Sequence, residues 1–513
     1  MLRTLLAFAF LISALPAAAQ DLKSFEDKTT VHKLANGWTF VLVERHQAPA
    51  FSFSTRVNVG SAQEVTGITG LAHMFEHMAF KGTETIGTSN YPEEKKALAA
   101  LEAAYQAYQA ERLAPHPEAG KVEELLKVFK ARQAEADKFV VKNEFGDIVN
   151  REGGVFMNAF TNTDETVFFY SLPANKTELW AYLESERFLH PVFREFYEER
   201  EVVREERRQS IEGPPVGRIF EQLQAAAFIA HPYHHRTVGF DSDLQAFTLT
   251  DAQNFFRAYY VPANMVTAVV GDIHPAELIP IIDRYFGRIP ARPLPPPLRT
   301  VEPPQTAERV VVMEGRSQPI YVEGYHKPAT TDPDQATYDA IDDILSIGRT
   351  SRLYRALVRD QRLTVQVGSF SGFPGRAYPH LWAILAVPSF GVTNQQVQTA
   401  LHAELERLKN EDVTDEELTR FKTRAKAKLL RDLRSNQGFA NQLVEFQYLY
   451  GDWRELFRTL DRYDKVTKAD IRRVANQTFR KENRTVTMLN STMMMMQPPA
   501  AKPAAAPGTP GGR

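Results

Sequence analysis

Between residues 38 and 43, and again between 51 and 59, the chain runs apolar or alternates apolar with polar positions. That is the period of a β-strand, and residues 167–172 repeat it. Helical spacing takes over between these runs. The most distinct helical stretch is residues 92–141, rich in Ala, Glu, Lys and Leu. Leu98, Leu101, Tyr105 and Tyr108 recur three or four apart, as do Val122, Leu125, Leu126 and Phe129, with Pro115 and Pro117 between the two sets. The pattern predicts a helical hairpin inserted into a mixed strand-and-helix segment.

A second pattern repeats at long range. In residues 249–272, Thr250 and Ala252 align with Thr467 and Ala469 of residues 466–490. A helix follows in each, and after a two-residue offset Asn264 aligns with Asn483, each leading into a β-rich run. Between the two copies, residues 290–304 read PARPLPPPLRTVEPP, a semi-rigid proline-rich linker. The expected fold class is α+β: two related domains, each a mainly antiparallel sheet with helices packed on one face. The first would span residues 20–289 and carry the hairpin, and the second residues 305–492.

The ends read differently. Residues 1–19 have a basic start at Arg3, an apolar run too short to span a bilayer, and Ala17-x-Ala19 after Pro16. This is the grammar of a secretory signal peptide cleaved after Ala19. No later run is long and apolar enough for a transmembrane helix. A periplasmic or secreted location is expected. Residues 493–513 end in a Pro/Ala/Gly tail that cannot build a core and are expected to be disordered.

Composition sharpens the chemistry. With 61 Lys+Arg against 63 Asp+Glu, the net charge of −2 lacks the basic excess that nucleic-acid binding needs. There is no cysteine, which excludes a disulfide scaffold, a thiolate metal site and a cysteine nucleophile. Any metal must be held by His, Asp or Glu.

Residues 73–77 read His-Met-Phe-Glu-His. His73 and His77 stand at i and i+4, one turn apart on one helix face, so both imidazoles can reach one cation. Glu76 shares that face and is placed to take a proton from the attacking water. This is the reversed zincin motif H-x-x-E-H. Leu71, Phe75 and Met78 mark the helix as packed against a core. A catalytic zinc needs a third protein ligand. In residues 198–210, Glu199, Val202, Val203 and Glu206 stand at i, i+3, i+4 and i+7, a stripe expected to turn inward. Helical phase therefore selects Glu199 and Glu206 over their charged neighbours. The rival cluster is His231, His234 and His235, read as a loop without an acid.

Together these residues resemble the pitrilysin family of inverzincin peptidases, which includes insulin-degrading enzyme, the mitochondrial processing peptidases and two-domain bacterial members. The resemblance rests on HMFEHMAFKGT at residues 73–83, GGVFMNAFTNTDETVFF at 153–169, the EEREVVREE run at 198–206 and SIGRTSRLYRAL at 346–357. It implies one zinc per chain with His73, His77 and Glu206 as ligands, Glu76 as general base and Glu199 as a supporting carboxylate. It further implies that Asn158 and Ala159 bind substrate backbone along a sheet edge. The separation of His77 from Glu206 is longer than in short family members, and the hairpin insertion accounts for the excess. Active members also supply an Arg/Tyr pair from the opposing half of a clamshell. By alignment, Trp382 and Ser389 occupy those places here.

The resemblance thus implies a zinc endopeptidase acting on peptides or unfolded polypeptides inside a chamber. It would be the catalytic subunit of a heterodimer whose homologous partner supplies the Arg/Tyr pair. A homodimer is the second arrangement. A non-catalytic processing or scaffold subunit of the same fold is a further reading, as is a zinc-storage module.

Overall fold

The structure, a computed structural model, describes residues 25–492. The expected signal peptide and tail lie outside the described residues. Eleven strands form two sheets. The first contains β1 (Thr29–Lys33), β2 (Thr39–Glu44), β3 (Ala50–Val57), β4 (Val155–Thr161), β5 (Thr166–Pro173) and β6 (Met265–Gly271). The second contains β7 (Arg309–Gly315), β8 (Ile320–Lys327), β9 (Thr364–Phe373), β10 (His380–Pro388) and β11 (Arg484–Ser491). Six helices matter below: α1 (Leu71–Met78), α2 (Tyr91–Arg112), α3 (Ala119–Asp137), α4 (Phe196–Arg207), α5 (Pro215–Ala227) and α6 (Asn436–Tyr450).

The strand order of the first sheet is β1-β2-β6-β3-β5-β4 and that of the second is β7-β11-β8-β10-β9. Without β1 the two orders coincide. Each has a single parallel pair, β2 with β6 and β7 with β11, and is otherwise antiparallel. The chain is therefore a mainly antiparallel α+β fold built twice. The repeated segment coincides at atomic detail. Thr248 and Thr467 cap the helices Leu249–Tyr259 and Lys468–Thr478 through capping boxes closed by Asp251 and Asp470. Asn264 then donates to Tyr259 O at 3.0 Å and Asn58 O at 3.1 Å, and Asn483 to Thr478 O at 3.0 Å and His326 O at 2.8 Å. This corrects the alignment by sequence. The partner of Thr467 is Thr248, not Thr250, and no offset is then needed before the asparagines.

Each sheet carries its own helices on one face, and the other domain covers the opposite face. Val41, Val43, Val266, Ala268 and Val270 of β2 and β6 pack against Phe439, Leu443 and Val444 of α6. Reciprocally, Ile219, Leu223 and Ala227 of α5 pack against Ile320, Val322, Leu381 and Leu489 of the second sheet. Burial on both faces explains why β2 and β6 read as apolar runs, whereas β3 keeps an alternation of Phe with buried Ser. The proline-rich segment is tied down: Glu302 accepts from the backbone N–H groups of Ile229, Ala230 and His231 at 2.9–3.1 Å.

Helices α2 and α3 form the hairpin, turning through Pro115 and Pro117. Its buried side chains, among them Leu101, Tyr105 and Phe129, join the main core of the first domain. Leu443 of α6 is fully buried against the first sheet. Leu443→Ala leaves a cavity there and should cost about 2–5 kcal/mol. The check is denaturant unfolding, with a visibly lowered midpoint expected.

Candidate metal centre

Helix α1 buries Leu71, Ala72, Met74, Phe75 and Met78, which leaves His73, Glu76 and His77 on its remaining face. Phe75 locks the helix, its ring 3.9 Å from that of Tyr260 and 4.9 Å from that of Phe256. The helix starts at Gly70 in the left-handed region (φ 99°), where a Cβ would fall 2.8 Å from the carbonyl oxygen of Val238. Only glycine fits there. Glu64 caps the helix from outside, accepting from the N–H groups of Gly70 and Ala72 at 2.8 Å each. His235 Nε2 lies 3.2 Å from the same carboxylate. Burial pushes the Glu64 carboxyl up, and His235 and the two N–H groups oppose it.

That geometry removes the rival histidine cluster. His231 Nδ1 accepts from Tyr233 N–H at 3.2 Å, His234 Nδ1 faces His231 O at 3.1 Å, and His235 braces Glu64. Their rings are engaged separately and converge on no common point among the described residues.

Helix α4 lies alongside α1 and delivers both selected carboxylates. Glu206 Oε2 is 3.6 Å from Nε2 of His73 and 3.6 Å from Nε2 of His77. Glu199 Oε2 is 3.3 Å from Nδ1 of His77, and its other oxygen is 2.5 Å from Lys81 Nζ. Lys81 is also 3.0 Å from Glu195. The reason for selecting Glu199 and Glu206 needs correction. Val202 is 46% exposed, so the proposed inward stripe does not exist. The buried face of α4 is Phe196, Tyr197, Arg200, Val203 and Arg207, and the two glutamates flank it. Arg200 is tolerated inside because its guanidinium lies over the rings of Tyr105 and Tyr197, at 4.9 and 5.1 Å. Arg207 donates to Gly239 O at 2.7 Å. The hairpin thus buttresses the helix that carries Glu206. Sequence reasoning missed this role, as it missed Glu64 and Lys81, and it took His235 for part of a rival cluster where it braces Glu64. Lys81 stood within the quoted motif, but only its contact with Glu199 reveals what it does.

The donor set fits zinc. One nitrogen of each imidazole and one Glu206 oxygen all lie within 4.8 Å of one another, a borderline N/N/O set. The electrostatics fit a cation too. Burial holds His73 well below the ordinary histidine value. Burial also pulls His77 down, but the carboxylates of Glu199, Glu206 and Glu76 outweigh it and push His77 up to about 9. Glu206 is held low by the His77 contact. Burial raises Glu199, yet His77 and Lys81 hold it below the usual carboxylate range. Glu76 is raised, chiefly by burial, with Thr161 and His77 opposing.

Two clefts flank the cluster. One, roughly 300 Å³, is lined by Glu76, His77, Lys81, Asn158, Ala159 and Glu199. The other, roughly 360 Å³, is lined by His73, Glu206 and Thr161 together with Phe373 and Pro374 of the second domain. Strand β4 is one edge of the first sheet, opposite to β1, with an irregular register between Val155 and Asn158. Asn158 is exposed, and its Oδ1 accepts the N–H of the buried Ala159 at 2.9 Å. Trp382 lies elsewhere: it is fully buried in the second domain, with Nε1 donating to Asp342 at 3.0 Å. Ser389 follows β10 and donates its N–H to Leu363 O at 2.8 Å.

Comparison with known proteins places this architecture. The model described as Insulinase (Peptidase family M16) matches residues 39–130, and that described as Peptidase M16 inactive domain matches residues 246–425. The chain belongs to peptidase family M16. It is 26% identical over 497 residues to the zinc protease PqqE of Helicobacter pylori, covering 95% of this chain and 98% of that protein. The crystal structure of a protease from Helicobacter pylori superposes with a TM-score of 0.76 at 26% identity, over 90% of this chain and 99% of that one. The periplasmic protease PqqL of Escherichia coli shares the fold, with a TM-score of 0.67 at 17% identity. There the match covers 95% of this chain but only 52% of PqqL.

With His77 raised to about 9 and the other donors already unprotonated, zinc entry at pH 7 must expel the His77 proton. Zinc affinity should fall as pH drops below about 9, with about one proton released per zinc at pH 7. Calorimetry in two buffers of different ionisation enthalpy measures that proton directly.

Proposed function

We propose that this chain is a zinc-dependent endopeptidase that hydrolyses internal bonds of peptides or unfolded polypeptides. The observation that carries it is the convergence of His73, His77 and Glu206, with Glu76 on the same helix face opening into the adjoining cleft. His73, His77 and Glu206 would hold a zinc ion, which would polarise the scissile carbonyl and make the attacking water more acidic. Glu76 takes the proton of the attacking water and passes it to the leaving amine; its raised pKa brings it nearer the working pH, as both transfers require. Glu199, pinned by Lys81, fixes the ring orientation of His77. A substrate strand adds to the free edge of β4, where the Ala159 N–H exchanges the Asn158 side chain for a substrate carbonyl.

The working enzyme is read as a pair of chains. No Arg/Tyr pair stands at residues 382 and 389, and Trp382 faces its own core. PqqL, of the same fold, is about twice as long. The β4 edge leaves Val155, Phe156 and Phe160 exposed at 51%, 79% and 41%, apolar surface that an opposing half would enclose. A homologous partner is favoured over a second copy, because a second copy would not bring the missing pair. The intact metal and base residues oppose the scaffold and storage readings. The leader-like start and the periplasmic location of PqqL support export.

Glu76→Gln should keep its zinc and lose about 10²–10⁴-fold in kcat/KM on a quenched peptide; substantial residual turnover removes Glu76 from the role of base. Glu206→Gln should weaken zinc binding, and unchanged metal content would show that another acid is the ligand. Gel filtration and peptidase assay of the purified chain should find it inactive alone. Full activity without another chain overturns the heterodimer.

A further inference from the structure

We propose that Glu44, His46 and His274 form a second binding site for a borderline divalent transition metal such as Zn²⁺, sharing no residue with the His73/His77/Glu206 group. One donor atom from each of the three side chains lies within 4.8 Å of the others. His46 Nε2 is 3.7 Å and His274 Nδ1 is 3.5 Å from the same oxygen, Oε1 of Glu44. The two imidazole rings stack with centroids 4.8 Å apart, and each turns one nitrogen toward Glu44 Oε1.

The second observation is the partner behind His46. Its Nδ1 lies 2.7 Å from Asp272 Oδ1. A carboxylate on one ring nitrogen fixes the tautomer and leaves the other nitrogen as a lone-pair donor, the arrangement that orients metal-bound histidines. The two carboxylates of Glu44 and Asp272 beside the rings suit a dication.

The backbone sets this cluster firmly. Strands β2 and β6 run parallel, with Glu44 opposite Gly271, so both chains leave the sheet at the same end. Arg45 N–H donates to Gly271 O at 2.8 Å, and Asp272 N–H to Ala50 O at 3.1 Å. A Cβ on Gly271 would fall 2.4 Å from Ala50 O, so the glycine permits the close approach of the two loops. The side chains are partly exposed, 34% for Glu44, 46% for His46 and 58% for His274. They are free to make the small rotamer shifts that close N/O donors to about 2.0–2.2 Å from a zinc ion. A bound ion would cross-link the β2–β3 turn to the segment after β6. That turn also meets the second domain, where Arg45 Nη1 donates to Leu433 O at 2.9 Å.

The test counts zinc, so it does not depend on peptidase activity. The metal-free full chain is titrated with Zn²⁺ against a chromophoric chelator, with the melting temperature followed in parallel. The native chain should bind two equivalents, and the His46→Gln/His274→Gln double variant one, with a smaller rise in Tm on zinc addition. The His73→Ala/His77→Ala variant should retain one equivalent, and combining all four substitutions should abolish binding. The double variant at His46 and His274 should leave any peptidase activity unchanged. The proposal is overturned if the native chain binds a single equivalent that the His46/His274 variant keeps. It is equally overturned if the His46/His274 variant still binds two.

Discussion

Both sheets bury side chains on both faces, and in each the face away from its own helices is covered by the other domain. The central strands β2, β3 and β6 are buried almost end to end. Each domain resolves this by lending a helix to the other, α6 to the first sheet and α5 to the second. The site depends on this exchange. A short π-helical turn, Arg208–Glu212, joins α4 to α5, and Arg207 of α4 reaches Glu221 of α5 at 2.8 Å. Whatever fixes α5 against the second sheet therefore fixes the end of α4 that carries Glu206. The second domain also walls the cleft beside His73 through Phe373 and Pro374. It contributes no residue to the His73/His77/Glu206 group, yet it helps place Glu206.

The local charges are arranged around an expected cation. Three carboxylates, Glu76, Glu199 and Glu206, face two imidazoles in a partly buried setting, and Lys81 neutralises only Glu199. On the far side of α4 the hairpin supplies Tyr105 and Phe129 to pack against Tyr197 and Arg200. The segment that lengthens the chain between His77 and Glu206 thus packs against the helix that carries Glu206.

The two copies share topology and caps but diverge in chemistry. The first places His73, Glu76 and His77 on the short helix between β3 and β4. The corresponding helix of the second copy, Gln335–Ser346 between β8 and β9, has no histidine and turns Asp339, Asp342 and Asp343 toward its own structure. Asp342 accepts from Trp382 and Asp343 from Arg424. In the first copy two of these side chains converge with Glu206 on one point, whereas the second copy spends its own on internal hydrogen bonds. This is consistent with the match of the later part of the chain to an inactive domain of the family.

Much of this was legible from the chain alone wherever the determinant is local. The spacing of His73, Glu76 and His77 is a property of one helix, so it could be read without knowing what the helix packs on. The hairpin and the repeated cap-helix-asparagine segment are likewise local patterns, although only the capping hydrogen bonds set their alignment at Thr248. Glu206 was reached by a phase argument that named the right face boundary for the wrong reason. Val202 is exposed, and the buried face of α4 mixes Phe196, Tyr197 and Val203 with Arg200 and Arg207, whose guanidinium groups meet rings, a carbonyl and carboxylates from other segments. No periodicity of apolar residues marks such a face. The pairing of Glu44 and His46 with Asp272 and His274 is set by strands that adjoin only in the folded sheet. Sequence determined which residues could act within a single helix or turn. The tertiary structure decided which of those from separate segments meet, because their meeting depends on sheet register and on the exchange of helices between domains.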